Sequence, residues 1–339
     1  MVYRAEYIWI DGAVPTHEVR SKTKIVPAGT EPPTWAYDGS STNQATGDKS
    51  DVVLEPVFVC PDPVRGGDNV LVLCETRLAA DMSPHPTNTR AAARDSLDRW
   101  GADHEPWFGL EQEYTMIDPV TKWPAGFPSN GFPGPQGPYY CGVGANKVFG
   151  RAIVEQHTTW CIAAGLDISG TNAEVMPGQW EFQIGPADTV AAGDQLWVAR
   201  YLLKLAGEDH GIEISLDAKP MPGDWNGAGM HTNVSTKLMR ESYDAVVKAA
   251  EALGEEATRK RHMAGYGHGI ELRLTGEHET QRYDQYNYGV SDRGASVRIP
   301  WQVEKDGGGY IEDRRPNANA DPYVLTALLT DTICEALSS

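Results

Sequence analysis

The sequence predicts an α+β protein in two packed regions, a small β-rich one over residues 1–83 and a larger mixed one over residues 84–339. Three observations predict it. At 339 residues the chain exceeds the size at which one hydrophobic core keeps growing. Its N-terminal part carries short β-rich runs separated by Pro and Gly turns. The remainder alternates helical periodicity with polar, strand-like segments.

In chain order, the runs Tyr3–Ile10, Thr23–Val26, Asp51–Cys60 and Asn69–Glu75 read as strands of one small sheet, with Pro61–Gly67 as a turn. The segment Asp81–Thr87 contains two prolines, and a helical pattern follows over Asn88–Trp100 with Thr87 or Asn88 as N-cap. The division between regions is placed there. Pro124–Gly144 is crowded with glycine, proline and aromatic residues. So long a stretch without periodicity is either a connecting loop or the lining of a site, and its aromatics need burial, which favours the site. Helices are expected over Lys147–Ala164, Asp194–Ala206, Lys237–Leu253 and Pro322–Leu337. No internal repeat is visible.

Composition narrows the function. Hydrophobic residues at 40% and charged residues at 22% are ordinary for a globular protein. The longest apolar runs, such as Tyr323–Leu329, fall far short of the roughly 20 residues that cross a bilayer. Met1–Asp11 lacks the basic start and apolar stretch of a secretory signal, so a cytoplasmic location is expected and no membrane association. A net charge of -18 argues against nucleic acid as a partner, because phosphate neutralisation needs a basic stripe. The five cysteines have no metal-binding or paired spacing and read as buried thiols.

Chemistry concentrates in four strand-like segments. In Trp107–Tyr114 the period of two places Glu111 and Glu113 on one face and Phe108 and Leu110 on the other, a pattern that an edge strand with one wet face also shows. Pro177-Gly178 can turn the chain so that Glu174 meets Glu181, and Glu181 lies between Trp180 and Phe182, where a solvated carboxylate is unexpected. In Gly227–Ser235, His231, Asn233 and Ser235 share a face, and in Tyr310–Arg314 so do Tyr310, Glu312 and Arg314. Taken singly these are a structural histidine and a surface ion pair. Taken together, five glutamates and an imidazole suit a hard divalent ion, Mg2+ or Mn2+, of the kind that serves phosphoryl transfer.

The same strings resemble the signature segments of glutamine synthetase, specifically its shorter eukaryotic-type class (type II). The resemblance rests on the Glu111-Gln112-Glu113 strand, on Asn130–Tyr140 and on Gly170–Pro177. Asp38–Thr42, Asn226–Gly229, Arg273–Gly276, His278–Thr280, Arg293–Arg298 and Glu312–Pro316 extend it over nearly the whole chain. It implies an N-terminal β-grasp domain followed by a catalytic domain of antiparallel sheet and helices. It also implies a homo-oligomer, a decamer of two pentameric rings with active sites between subunits.

Carried onto this sequence, the resemblance implies metal ligands at Glu111, Glu113, Glu174, Glu181, His231 and Glu312. ATP contacts are implied at Glu111, Glu181, Phe182, Gln183, Ile184, Gly185, Pro186, Asn233, Val234, Ser235, Arg293, Arg298 and Tyr310. Substrate contacts are implied at Asp224, Trp225, Asn226, Gly227, Arg273, Arg293 and Arg314. Asp38, supported by Asp51, corresponds to an ammonium-binding aspartate given to the neighbouring subunit's site, and Glu279 to a flap glutamate, with Arg293 and Arg298 completing the catalytic set. The implied reaction joins ammonia to the side-chain carboxylate of glutamate through a γ-glutamyl phosphate, with ATP cleaved to ADP and phosphate. Two alternatives share the pattern: a ligase that uses an amine in place of ammonia, and a catalytically silent homologue that senses metabolites. Tyr37, Asp292 and Ile270 stand where relatives commonly carry phenylalanine, asparagine and asparagine.

Overall fold

The computed structural model describes residues 1–339. Five strands, β1 (Val2–Ile10), β2 (Val19–Pro27), β3 (Trp35–Asp38), β4 (Asp51–Pro61) and β5 (Val70–Leu78), form a sheet in the order β2-β1-β5-β4-β3. Only the central β1/β5 pair is parallel. Alternation sorts β1 between two cores. Ala5, Tyr7 and Trp9 join a small cluster on one face, while Ile8 joins the large cluster that fills the rest of the molecule.

After α1 (Thr89–His104) come β6 (Trp107–Ile117), α2 (Arg151–Ala163), β7 (Ile168–Ala173), β8 (Gln179–Ala187), α3 (Ala191–His210), β9 (Glu213–Ser215) and β10 (Met230–Ser235). Then follow α4 (Lys237–Glu241), α5 (Tyr243–Gly254), α6 (Glu256–Gly265), α7 (Ile270–Arg273), β11 (Tyr288–Val290), β12 (Val297–Ile299), α8 (Trp301–Asp306), β13 (Ile311–Asp313) and α9 (Pro322–Ser338). Seven of these strands run in the order β11-β12-β13-β10-β6-β8-β7, and β9 pairs with the end of β6. Helix α3 packs on β6 and β8 of this sheet and α9 packs on α1, α3, α5 and α6, both with sides buried in the common core.

Several boundaries differ from expectation for local reasons. The helix expected from Lys147 starts at Arg151, because Gly150 holds a left-handed backbone packed on Met116. The helix expected over Lys237–Leu253 is two helices, since Ser242 leaves the helical region and its Oγ accepts from the Ala245 amide, capping α5. α3 runs longer than expected at both ends and stops at Gly211 in the left-handed region. Asn88 precedes α1 as expected, but its side chain makes no capping bond and reaches Glu75 instead. Cys141 is exposed, which corrects the reading of all five cysteines as buried; the other four are buried.

A buried ionic triad ties the two sheets. Arg90 of α1 binds Glu75 of β5 at 2.6 Å and Asp194 of α3 at 2.7 Å, and the Tyr323 hydroxyl donates to Asp194 at 2.5 Å. All four are buried, so each charge has its partner where water cannot replace it.

Candidate active site: a carboxylate and arginine cavity beside an apolar cleft

Within the large sheet β6 is an interior strand, flanked by β8 and β10. Period-two alternation sends Phe108, Leu110 and Gln112 into the core and Glu111 and Glu113 to the open face. Register then assembles the rest. Glu113 lies opposite Glu181 of β8, Glu111 opposite His231 of β10, and Glu312 of β13 opposite Asn233. The turn at Pro177-Gly178 brings Glu174 back to the same place, with Gly178 at φ 75°.

Two ligand-like groups result, each with its atoms within 4.8 Å of one another: Glu113, Glu174 and Glu181, and Glu111, His231 and Glu312. Both border one cavity of about 520 Å3 lined by six glutamates and four arginines. In the first group the crowding is repulsive. Burial, then the Glu113 charge, pushes Glu174 up to about 8, and burial, then the Glu111 and Glu113 charges, push Glu181 up to about 9. Burial raises Glu113 as well, although Arg273 pulls the other way and the Gly229 amide donates to it at 2.5 Å.

In the second group the carboxylates already have donors. Asn233 Nδ2 binds Glu111 at 2.8 Å; Glu312 accepts from Arg314 Nη1 at 2.7 Å and from Arg298 Nε. His231 Nδ1 faces Glu111 at 3.6 Å and Glu312 at 3.4 Å, while Nε2 accepts from Arg273 Nη2 at 2.9 Å. A guanidinium only donates, so the neutral ring carries its proton on Nδ1. Burial, with Arg314 next, holds His231 well below its ordinary value, so the ring is neutral.

This donor set fits hard divalent cations. Three crowded carboxylates are stable only with protons or a cation between them, and oxygen with one imidazole is the ligand chemistry of Mg2+ and Mn2+.

A second cleft of about 430 Å3 adjoins the first and shares Glu111 and Gln183 with it. It is lined by Trp107, Ile184, Gly185, Pro186, Val234 and Tyr310 among others, with Asn233 and Ser235 as polar groups. Arg240 lies 3.8 Å over the Trp107 ring.

Most residues singled out in the sequence converge here, and three, Phe182, Trp225 and Asp224, differ from expectation. Phe182 is fully buried against Tyr114 and His157, so only its backbone is available to a ligand. Trp225 is buried against Phe127 at 5.0 Å rather than lining the cavity, whereas Asn226 and Gly227 line it. Asp224 turns its side chain outward toward His278 at 3.2 Å. Asp38 and Asp51 face each other across β3 and β4 and line neither cavity. The Ser40 and Ser41 hydroxyls hold the exposed Asp38 carboxyl below its usual range.

Arg293 and Glu279 do line the cavity, on the loops before β12 and after α7. His278 and Glu279 both have left-handed backbones, φ 53° and 58°. Gln136, from the glycine-rich loop, bonds Asn226 at 2.7 Å and His278 Nδ1 at 3.1 Å. That loop therefore serves the site, through Gly137, Tyr140 and Gln136. Sequence alone does not single out Gln136 and His278 as site residues; His278 stands beside Glu279, the signal that could have found it.

The glutamine synthetase β-Grasp domain family matches residues 1–78, and the glutamine synthetase catalytic domain family matches residues 86–270. Across 99% of the chain and 98% of its own length, a glutamine synthetase of Streptomyces viridochromogenes is 62% identical. That of Frankia alni is 60% identical across 100% and 94%, respectively, and a cytosolic isozyme of Arabidopsis thaliana is 52% identical across 97% and 93%.

Proposed function

The chain belongs to the glutamine synthetase family and is a glutamate–ammonia ligase that uses ATP and a divalent metal; from that premise we propose which residues carry each step. The observation that carries the assignment is the junction of the two cavities at Glu111 and Gln183. The adenine and ribose of ATP occupy the apolar cleft between Tyr310, the Asn233–Ser235 strand and the Gln183–Pro186 segment. The triphosphate then runs past Glu111 into the carboxylate and arginine cavity.

Glu113, Glu174 and Glu181 hold one Mg2+ or Mn2+, and Glu111, His231 and Glu312 another. When bound, these ions neutralise phosphate oxygens and align donor with acceptor. A cation at His231 Nδ1 needs the ring proton at Nε2, so metal loading and the Arg273 bond compete for one tautomer.

The side-chain carboxylate of glutamate attacks the terminal phosphorus and the bond to ADP breaks. Arg298 and Arg314, already anchored on Glu312, and Arg293 beside them supply positive charge to the transferred group. Arg273, Asn226 and Gly227 position the glutamate, while Trp225 packs on Phe127 and Asp224 faces His278. The flap carrying Glu279 covers the acyl phosphate and keeps water from hydrolysing it. Ammonium binds at Asp38 of an adjacent subunit, oriented by Asp51, and loses a proton there; ammonia displaces phosphate to give glutamine.

The ring arrangement, two stacked pentamers with sites between neighbours, is part of this proposal. Its support is that Asp38 lies on the N-terminal sheet and lines neither cavity of its own chain. The division of the chain between residues 83 and 84 falls in the gap between the two matched segments. A cytoplasmic location is proposed on the likeness to a cytosolic isozyme; no helix is long and apolar enough to cross a membrane.

The test is phosphate release from ATP, Mg2+ and glutamate, with ammonium compared against a panel of amines, for the parent and for Asp38→Ala. The expected outcome is ammonium-dependent glutamine formation, lost in Asp38→Ala with ATP affinity unchanged by calorimetry. Loss of ATP binding in a folded Asp38→Ala protein overturns the assigned role. Release with an amine alone points to the amine ligase.

A further inference from the structure

Three segments that carry the wall of the site meet at one side chain, that of Gln136. Gln136 comes from the glycine-rich loop, Asn226 from the stretch before β10 and His278 from the loop after α7. The Gln136 amide uses both of its ends. Its Oε1 accepts from the Asn226 backbone N–H at 2.7 Å, and its Nε2 donates to Asn226 Oδ1 at 2.7 Å and to His278 Nδ1 at 3.1 Å. An amide nitrogen only donates, so His278 Nδ1 accepts and the ring proton sits on Nε2, which faces Asp224 Oδ1 at 3.2 Å.

The flap that carries Glu279 is tied at its base and at its tip by different groups. Thr275 and Arg282 pair as a bridge at the base, and Thr280 Oγ1 donates to Glu277 O at 2.7 Å. Neither contact holds the tip against the opposite wall. His278 does so, through Gln136 and Asp224, from a left-handed backbone next to that of Glu279. Two adjacent non-glycine residues stay in that region only when their surroundings over-determine them. Asp224 is exposed to solvent, where its contact competes with water, whereas Gln136 is half-buried. The Gln136 bond is therefore the tie that water replaces least readily.

On the other side, Asn226 and Gly227 line the cavity, and Gly227 O accepts from Gln179 Nε2 at 2.9 Å. The wall that receives glutamate is thus held from two directions, and Gln136 joins it to the flap. We propose that Gln136 is a positioning residue that holds this wall and the flap in one arrangement, so that the acyl phosphate meets ammonia and not water. The inference rests on the flap role given above to Glu279. Without the tie, a water oxygen bonds to the γ-carbonyl carbon and the bond from that carbon to the phosphate oxygen breaks. Glutamate and phosphate leave, with a proton lost to solvent. Each such turnover consumes ATP and yields no glutamine.

Phosphate and glutamine are measured together, with ATP, Mg2+, glutamate and saturating ammonium, for the full-length parent, Gln136→Leu, Gln136→Glu and Glu279→Ala, each checked for an intact thermal transition. Gln136→Leu removes every bond of the amide; Gln136→Glu keeps the acceptor for the Asn226 N–H and loses both donors. The parent should release equal amounts of phosphate and glutamine. Both Gln136 variants are expected to release phosphate in about twofold or greater excess over glutamine, only when glutamate is present and with ATP affinity unchanged. The glutamate KM is expected to rise by about three- to tenfold in Gln136→Leu and by less in Gln136→Glu, from the bonds lost at Asn226. A residue that merely supports the fold would lower the melting temperature and leave the phosphate-to-glutamine ratio at the parent's value. The inference is overturned if phosphate and glutamine stay equal in both Gln136 variants, or if the excess persists without glutamate. Equal amounts in Glu279→Ala as well overturn the flap reading too, whereas excess phosphate there alone sinks only the role of Gln136. Should Gln136→Leu fail to fold, Gln136→Glu decides alone.

Discussion

At the scale of single residues, the crowded carboxylates decide how this protein responds to pH and metal. Glu174 and Glu181 have native values of about 8 and 9, against roughly 4.3 for an unfolded glutamate. The native state therefore binds more protons than the unfolded state between those limits, and stability falls as pH rises. The stabilising contribution is complete below the unfolded value and disappears through the native one. Metal-free protein should thus melt at progressively lower temperature from mildly acidic pH up to about 9 and level off above it, and added Mg2+ should restore most where the loss is greatest. Glu181→Gln keeps the shape of the protonated acid but cannot ionise. Its metal-free melting curve should flatten with pH while divalent affinity falls by at least about tenfold. Thermal denaturation across pH, with chelator and with Mg2+, measures both, and parallel curves for parent and variant would sink the argument. Strand alternation makes Glu111, Glu113, Glu181 and His231 legible in the sequence, since two-residue periodicity by itself fixes the face each side chain takes. It also carries Phe182 into the core between two site residues, so a run such as Glu181–Pro186 cannot serve the site residue by residue.

At the scale of elements, the turn at Pro177-Gly178 is what joins Glu174 to Glu181. A Cβ on Gly178 would fall 2.7 Å from Ala125 O and 2.9 Å from its amide nitrogen, in a left-handed backbone. Gly178→Ala should therefore cost at least about 2 kcal/mol and loosen metal binding as well, since the turn positions a proposed ligand. Chemical denaturation and metal titration on the same variant check the pair; an unchanged metal affinity in a destabilised variant would separate the turn from the site. The elements that sequence periodicity renders poorly are those set by contacts distant in the chain. The break at Ser242 is written locally in a capping residue, yet the helical pattern continues on both sides and masks it. The contact between Gln136, Asn226 and His278 spans loops up to 142 residues apart, and no periodic signal encodes it. Likewise Gln112 reads as a spacer between two glutamates, yet it is a buried acceptor for Arg200 at 2.6 Å.

At the scale of the whole molecule, the proposed reading gives Asp38, on the N-terminal sheet and outside both cavities of its own chain, to the site of a neighbouring chain. Two inactive variants, Asp38→Ala and Arg293→Ala, should then complement each other when unfolded and refolded together. Random assembly of equal amounts should restore about a quarter of sites, because each needs an intact chain of both kinds. No recovery of activity in mixed oligomers would place Asp38 in its own chain's site. The two-region division is legible from length and turn composition, but the way the regions join is not. They join through one interior: Ile8, Cys60, Leu71 and Leu73 of the N-terminal sheet belong to the same apolar cluster as α3 and α9, and the Glu75, Arg90 and Asp194 triad crosses the seam. Neither half can shed the other without exposing part of that interior and stranding a buried charge. Heating should accordingly melt both together in a single calorimetric transition, and a chain cut between residues 83 and 84 should yield fragments that aggregate alone and recover native structure only when combined.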